Sequence, residues 1–380
     1  MDDSAQYIER LSRNQSTMMQ ILVHPVRKRM CLHLCEASRM FSTNDEASRF
    51  QRIKPPQNVY NTDSPLVSPR YVAAPKTCSI IGAPMTLGQP LLGTDYGPKL
   101  LREKGITSEI TNLDWRVSDS GDLHFPTSSG NDPHLDSNLG KAKNCYQVGQ
   151  GNKQIFEAAY ESHQKQMFTL VIGGDHSVAF GTVAAAIKCN PDVGVVWVDA
   201  HADLNTPFTS PSGNMHGMPL GLLMGLCDPT SIPGFEWMQE IPQLKPEQLS
   251  YIGLRDVDKG EAKAIRDLGI QAFTMHDIDR YGIGGVISQV LKNQGDRPLH
   301  LSYDIDAVDP IEAPSTGTVV RGGLTFREAH FVAEAISDTG NLKSMDIVEV
   351  NPQLEPGDGA NMTADMGLQL TLSAMGTRIL

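Results

Sequence analysis

The chain has 380 residues, of which 40% are hydrophobic and 20% are charged, a composition that is ordinary for a soluble globular enzyme. Its formal net charge of −12 argues against nucleic-acid binding, which usually requires a basic face. No run of about 18 apolar residues occurs, so we expect no membrane-spanning segment. The six cysteines are scattered and lack the density of a disulfide scaffold, which favours a reducing, cytoplasmic location.

Residues 1–72 differ in composition from the rest of the chain. They are rich in Ser, Arg, Asn and Pro and lack a sustained apolar period, so we expect a poorly ordered extension ahead of a catalytic domain at 73–380. Within the extension, residues 18–41 carry four basic side chains and one acid, as mitochondrial transit segments do. Asp2, Asp3 and Glu9 are atypical of such segments. We therefore expect a cytoplasmic location, with a mitochondrial one as the alternative.

From Thr77 onward, short apolar segments alternate with helical patterns. Strands are predicted at 78–82, 168–172, 193–198, 249–254, 270–274, 299–304 and 342–350. Helices are predicted to begin at Gly97-Pro98, to cover 142–166, 178–188 and 259–268, and to run from the capping box of Thr325 and Glu328 to near Gly340. Residues 118–138 are polar and are predicted to form a long surface loop. The alternation predicts an α/β fold: a single domain with a central parallel β-sheet flanked by helices on both faces.

Acidic residues stand at the end of two predicted strands. Asp199, His201 and Asp203 follow one strand, and Asp304 and Asp306 follow another. Side chains two residues apart in an extended chain point the same way, and ligands of parallel sheets bind beyond the carboxyl ends of the strands. Carboxylates gathered in one cleft repel each other unless a cation holds them. The pattern therefore predicts a metal site with two ions.

A glycine turn follows the predicted strand at 168–172. Gly173 and Gly174 permit a tight turn that places His176 at the carboxyl-end edge of the sheet. Such glycines are also common in ordinary turns between a strand and a helix. With His176, the candidate ligands are four carboxylates and two imidazoles. Oxygen and nitrogen donors without a thiolate favour Mn²⁺ over Fe²⁺, Co²⁺ or Zn²⁺.

Six motifs in this chain resemble those of the arginase branch of the ureohydrolase superfamily. They are GGDHS at 173–177, DAHADLNTP at 199–207, SGNMHG at 212–217, GLRDVDKGE at 253–261, SYDIDAVDP at 302–310 and DIVEVNP at 346–352. The resemblance covers residues 77–380 and implies a hydrolase of linear amidines with two Mn²⁺ ions, which converts L-arginine to L-ornithine and urea. Family members are commonly trimers, so the resemblance also implies a homo-oligomer.

The resemblance implies a role for each matching position. The first ion is expected at His176, Asp199, Asp203 and Asp304, and the second at His201, Asp199, Asp304 and Asp306, so that Asp199 and Asp304 bridge. His216 matches the proton-transfer histidine, and Glu349 matches the carboxylate that holds the guanidinium. The residues expected to read the α-amino and α-carboxylate groups are Asn205, Ser212, Asn214, Asp258 and Glu261, with Thr318 and Asp256 as further contacts around the substrate and the site.

The chemistry of guanidinium hydrolysis fits these residue types without the resemblance. Guanidinium is a poor electrophile, so its hydrolysis requires a strong nucleophile near neutral pH, which a pair of metal ions supplies by acidifying water. A carboxylate such as Glu349 pairs with the planar guanidinium. A histidine outside the metal ligands, here His216, donates the proton that the departing amine requires.

Three other interpretations stay open on the sequence. An agmatinase or a formiminoglutamate hydrolase would share the metal site, but the sequences SPSGNMHG and RDVDKGE favour a substrate with an α-amino acid head. A non-catalytic relative is expected to lack a metal ligand, whereas all six ligands occur in this chain. A structural protein with accidental acidic clusters would bind no manganese.

Overall fold

The computed structural model describes residues 76–125 and 140–377. The expected extension at 1–72, its transit-like segment and the boundary to the catalytic domain lie outside these residues. In the described part of the chain, eight strands form one sheet: β1 (Thr77–Ala83), β2 (Arg116–Asp122), β3 (Phe168–Gly173), β4 (Gly194–Val198), β5 (Leu249–Leu254), β6 (Gln271–Thr274), β7 (Leu299–Asp304) and β8 (Leu342–Val348). Their order is β2-β1-β3-β8-β7-β4-β5-β6, and every neighbouring pair is parallel.

Helices connect most of the strands. They are α1 (Gly97–Glu103), α2 (Ile106–Asn112), α3 (Cys145–Gln164), α4 (Ala179–Cys189), α5 (Pro219–Leu223), α6 (Lys259–Leu268), α7 (Met275–Gln294), α8 (Phe326–Asp338) and α9 (Asp358–Ala374). The capping box predicted for α8 is present: the Thr325 side chain accepts a hydrogen bond from the Glu328 backbone N–H, and the Glu328 side chain accepts one from the Thr325 N–H. None of the described helices combines the length and the apolar character needed to cross a bilayer.

The central strands of the sheet are buried between two apolar cores. Successive residues of a strand face opposite cores. In β4, Val196 and Val198 lie in one core, and Val195 and Trp197 lie in the other. Helices α1, α2, α7, α8 and α9 cover one face, and α3, α4, α5 and α6 contribute to the other. Strands buried on both faces are rich in apolar residues, which is why β3, β4, β5 and β7 were recognisable in the sequence. The predicted α/β fold with a parallel sheet and helices on both faces is confirmed.

The prediction of a surface loop at 118–138 was wrong for its first residues. Residues 118–122 belong to β2, which pairs with β1 at the edge of the sheet, whereas 126–138 lie outside the described residues. The strand carries no apolar alternation because most of its side chains face solvent. Arg102 of α1 stabilises it by donating hydrogen bonds to Asp119, 2.9 Å from Nε to Oδ2, and to Asp122.

His163, near the end of α3, makes the stability of the fold depend on pH. It lines a cavity of about 300 Å³ together with Phe168 and Ser344, near the beginnings of β3 and β8. Burial and the neighbouring His300 lower the pKa of His163 to about 4. An unfolded chain binds this proton at about pH 6.5. Between about pH 6.5 and 4 the unfolded state therefore holds the extra proton, so the contribution of His163 to the free energy of unfolding decreases as the pH falls.

We expect His163→Gln to remove this contribution, so that the free energy of unfolding decreases less, or increases more, from about pH 6.5 to 4 than in the wild type. The free energy of unfolding of the metal-free protein, measured by chemical denaturation from about pH 7 to 4, checks it. The same substitution at the exposed His276 serves as the control and should leave the wild-type slope. Parallel slopes for wild type and His163→Gln would contradict the assignment.

Candidate metal centre

Six side chains with metal-binding chemistry meet at the carboxyl ends of β3, β4 and β7. His176 lies in a single turn of 3-10 helix after β3, and Asp304 is the last residue of β7. The other four follow β4 and β7: Asp199, His201, Asp203 and Asp306. The structure therefore brings together every metal ligand that the sequence nominated.

The donor atoms form two adjoining groups. His176 Nδ1 lies 3.0 Å from Asp199 Oδ2, 3.2 Å from Asp203 Oδ2 and 3.1 Å from Asp304 Oδ2. His201 Nδ1 lies 3.0 Å from Asp306 Oδ2 and 3.4 Å from Asp199 Oδ1. Asp199 thus presents one oxygen to each group, which is the geometry of a bridging ligand. Asp304 lies in the first group, and its bridging role stays a prediction.

The hydrogen bonds of His176 leave one ring nitrogen available to a metal. Ser302 donates its hydroxyl proton to Asp346 Oδ1 at 2.6 Å, so its oxygen accepts from His176 Nε2 at 2.9 Å. The proton of a neutral imidazole is then on Nε2, and the lone pair on Nδ1 faces three carboxylates. This Nδ1 atom is buried and has no hydrogen-bond partner within the described residues. Three carboxylate oxygens around one nitrogen are favourable only if a proton on Nδ1 or a metal cation offsets their charge, so the residues fit a metal ion.

The buried carboxylates repel one another. Burial, followed by the charge of Asp199, raises the pKa of Asp203 to about 6. The same two causes raise the pKa of Asp306, and burial together with Asp306 and Asp199 raises that of Asp304. Carboxylates that resist ionisation in this way are stabilised as anions by divalent cations.

Short local hydrogen bonds fix the ligands at the strand ends. Asp199 Oδ1 accepts from the His201 backbone N–H at 2.7 Å, and Asp304 Oδ1 accepts from the Asp306 N–H at 2.8 Å. The indole of Trp197 donates to Asp199 Oδ2 at 2.9 Å, and its ring stacks on His176 with centroids 4.1 Å apart. These contacts orient the ligands before any ion binds.

The two predicted catalytic residues lie in contact beside the metal ligands. Glu349 follows β8 with φ 65°, an unusual conformation for a residue other than glycine, and is fully buried. Its Oε1 accepts from the His176 backbone N–H at 2.9 Å and lies 3.2 Å from His216 Nδ1. Burial lowers the pKa of His216, but Glu349, Asp203 and Asp175 together raise it to about 9. A pKa above neutral favours the protonated form of His216, which is the form that its predicted role as a proton donor requires.

The residues expected to bind the α-amino and α-carboxylate groups of the substrate lie on two loops and at the start of α6. Asn205 Nδ2 donates to Asp258 Oδ2 at 3.1 Å, so these two predicted residues meet. Glu261 is buried, and its two oxygens accept from the backbone N–H groups of Leu204, at 2.9 Å, and Asp258, at 3.0 Å. The contacts shown for Glu261 therefore hold in place the segments that carry Asn205 and Asp258.

The remaining predicted residues lie nearby with different partners. Ser212 Oγ accepts from the Asn214 backbone N–H at 3.2 Å, and Lys143 Nζ donates to Asn214 Oδ1 at 3.3 Å. Thr318 donates to the metal-site carboxylate Asp306, 2.9 Å from Oγ1 to Oδ2. Asp256 Oδ2 lies 3.9 Å from His201 Nε2. Their contacts with substrate stay predictions.

Several residues that support the site were not predicted from the sequence. Gln89, in the loop after β1, donates to Glu349 Oε2 at 2.7 Å, and Ser302 and Asp346 orient His176. Two signals were present in the sequence. Gln89 follows the carboxyl end of a strand, and Asp346 is an acid in a strand whose side chains are mostly buried, where a buried charge needs partners.

Comparisons with known proteins agree with this geometry. A family model described as the Arginase family matches residues 76–376. An arginase from Glaciozyma antarctica (strain PI12) is 42% identical over 344 residues, which cover 88% of this chain and 99% of the relative. The solved structure of arginase from Bacillus caldovelox has a TM-score of 0.74 and 38% identity, and the match covers 80% of this chain and 100% of that one. Arginase from Entamoeba histolytica, solved in complex with L-ornithine, has a TM-score of 0.71 and 31% identity, covering 80% and 99%. The chain therefore belongs to the arginase family.

Proposed function

We propose that this chain is an arginase, which hydrolyses L-arginine to L-ornithine and urea with a pair of Mn²⁺ ions. The observation that carries the proposal is the pair of adjoining donor groups, sharing Asp199, with Glu349 and His216 beside them. Membership of the arginase family, which implies a binuclear metal site, supports it. The relative that was solved with L-ornithine, the product of this reaction, supports the substrate.

The donor set favours manganese. Carboxylate oxygen and imidazole nitrogen suit Mn²⁺, and no thiolate is present among the candidate ligands. Bound ions supply the acidification of water that makes hydroxide available near neutral pH. The protein's own contribution is to hold the ligands rigidly and to bury them.

Glu349 binds and orients the guanidinium. A buried carboxylate forms charge-assisted hydrogen bonds with the N–H groups of a planar cation, which fixes the carbon for attack. Around the substrate head, Asn205, Ser212 and Asn214 offer polar groups for the α-amino and α-carboxylate groups. Agmatine lacks the α-carboxylate, so these residues favour L-arginine.

His216 delivers the proton that the leaving amine requires. Its Nδ1 lies 3.2 Å from Glu349 Oε1, so Nδ1–H donates to that carboxylate and Nε2 carries the transferable proton. When the bond from the guanidinium carbon to Nε of arginine breaks, this proton converts the departing nitrogen to the neutral amine of ornithine.

We expect His216→Asn to lower kcat for L-arginine about a hundredfold, because general acid catalysis typically contributes at least that factor. Both metal ions should remain, since His216 is not among the clustered metal ligands. Urea release and metal content, measured on the same samples, check both expectations. The control is His330→Asn, on α8, which should behave as wild type. Loss of metal from His216→Asn would instead make this histidine a ligand.

The substrate is tested by urea release from L-arginine and from agmatine, each with and without added Mn²⁺. We expect release from L-arginine that depends on Mn²⁺, with little release from agmatine. Activity on agmatine without activity on L-arginine would overturn the proposal in favour of an agmatinase.

We further propose a homotrimer in the cytoplasm, with the mitochondrion as the alternative location. The resemblance of the six motifs to those of a commonly trimeric family supports the trimer, and the scattered cysteines, which lack the density of a disulfide scaffold, support a reducing compartment. Light scattering should give the mass of three chains of 41.4 kDa. Fluorescent fusions of the full chain and of 73–380 should both be cytoplasmic; mitochondrial targeting of the full chain alone would establish the alternative.

A further inference from the structure

We propose that Gln89 is a substrate-positioning residue, whose amide oxygen accepts a hydrogen bond from the guanidinium that Glu349 binds. The proposal rests on the proposed function, because it names a second protein group for the same substrate. Gln89 lies in the loop after β1 and is only 5% exposed.

The chemistry of Glu349 fixes the orientation of the Gln89 amide. Gln89 Nε2 lies 2.7 Å from Glu349 Oε2, and an ionised carboxylate only accepts hydrogen bonds. The amide nitrogen must therefore face Glu349, and Oε1 must face away from it. That Oε1 atom is buried and has no hydrogen-bond partner among the residues that the structure describes. A buried amide oxygen without a donor is unfavourable and calls for one.

The loop that carries Gln89 is tied to the catalytic residues. The Gly88 backbone N–H donates to Asp175 Oδ2 at 2.8 Å, in the turn that leads to His176. The His216 backbone N–H donates to the Gly88 carbonyl oxygen at 3.1 Å. Gln89 and His216 thus reach Glu349 from segments that are hydrogen-bonded to each other, so the amide is held in a defined position.

A guanidinium supplies the donors that this site lacks. It has several N–H groups in one plane and no acceptor. Glu349 already accepts from the His176 backbone N–H and from Gln89, and it contacts His216, so its remaining lone pairs cannot serve every N–H of a buried guanidinium. The Gln89 amide oxygen adds an acceptor without adding another negative charge to the cluster.

The test compares L-arginine with L-ornithine, which keeps the amino-acid head and lacks the guanidinium. We expect Gln89→Met to raise KM for L-arginine about tenfold, while the inhibition constant of L-ornithine changes less than twofold and bound Mn²⁺ stays at two ions. An unchanged KM, or an equal rise in KM and in the ornithine constant, would overturn the proposal. If the wild type releases no urea from L-arginine, the proposed function is wrong. If the wild type is active but Gln89→Met has the wild-type KM for L-arginine, the proposed role of Gln89 is wrong.

A second variant moves the amide without removing it. A Cβ atom at Gly317 would lie 2.5 Å from Gln89 Oε1, at the movable end of a side chain, so Gly317→Ala should displace the amide and raise KM for L-arginine. In a Gln89→Ala background the same change should have no further effect on KM. Additive effects would show that Gly317 acts independently of Gln89.

The matched control is Gln248→Met, which removes another buried amide. The Gln248 side chain donates to the carbonyl oxygens of Pro191 and Val193, at 3.0 and 2.8 Å. This variant is expected to lower the melting temperature while leaving KM for L-arginine unchanged. An equal rise in KM there would mean that loss of a buried amide, rather than of a substrate contact, explains Gln89→Met.

Discussion

Replacement of Asp199 by asparagine is expected to lower urea release about a thousandfold or more and to reduce bound metal below two ions per chain. Asp199 directs one oxygen to the His176 group and the other to the His201 group, so both ions depend on it. The asparagine side chain has one uncharged oxygen that can bind a metal ion. Its NH₂ group, which cannot bind a metal ion, replaces the second carboxylate oxygen of Asp199. Metal catalysis contributes several kcal/mol, and each 1.36 kcal/mol corresponds to about tenfold in rate.

Metal content by inductively coupled plasma mass spectrometry and urea release by a colorimetric assay measure the two effects on the same preparation. Asp192→Asn is the control, since Asp192 is an exposed carboxylate that pairs with Arg297. Asp192→Asn should keep both ions and full turnover. Two retained ions with normal turnover in Asp199→Asn would contradict its place as a shared ligand.

Replacement of Glu349 by glutamine is expected to lower kcat/KM for L-arginine about a thousandfold without loss of metal. The charge that pairs with the guanidinium disappears, and hydrogen bonds to charged groups are worth about 1.5–3 kcal/mol. The new NH₂ group would also face a donor, either Gln89 Nε2 or the His176 backbone N–H. The two losses together give the expected factor, since about 1.36 kcal/mol corresponds to tenfold.

Steady-state kinetics with L-arginine and metal analysis of the purified variant check this result. Glu355→Gln, at an exposed position beyond β8, is the control and should have wild-type kinetics. If Glu349→Gln lost an ion, Glu349 would be a metal ligand. If it kept wild-type kinetics, the guanidinium would have to bind elsewhere.

The buried strands and the metal ligands were predictable because their residues leave a strong local signal. Strands β4, β5 and β7 are covered on both faces, so apolar residues dominate them, and the acids at the ends of β4 and β7 stand out against that pattern. Since the carboxyl ends of parallel strands share one edge of the sheet, the side chains at those ends were expected to meet, and the structure brings them together.

The parts that escaped prediction depend on contacts between distant segments. Strand β2 is polar because it lies at the sheet edge, where it pairs with β1 and where Arg102 of α1 forms ion pairs with Asp119 and Asp122. Helix α7 contains Gly282 with non-helical dihedral angles, which breaks the apolar period. Gln89 is 260 residues from Glu349 in the sequence, so no local pattern could show that the two side chains pair.

Titration of the metal-free protein with Mn²⁺, with bound ions and urea release from L-arginine followed in parallel, tests the binuclear site most directly. We expect binding to saturate at two ions per chain and urea release to reach its maximum only when both are bound. Full urea release in the absence of any divalent cation, or saturation at a single ion, would contradict a catalytic site built from His176, His201 and their four aspartates.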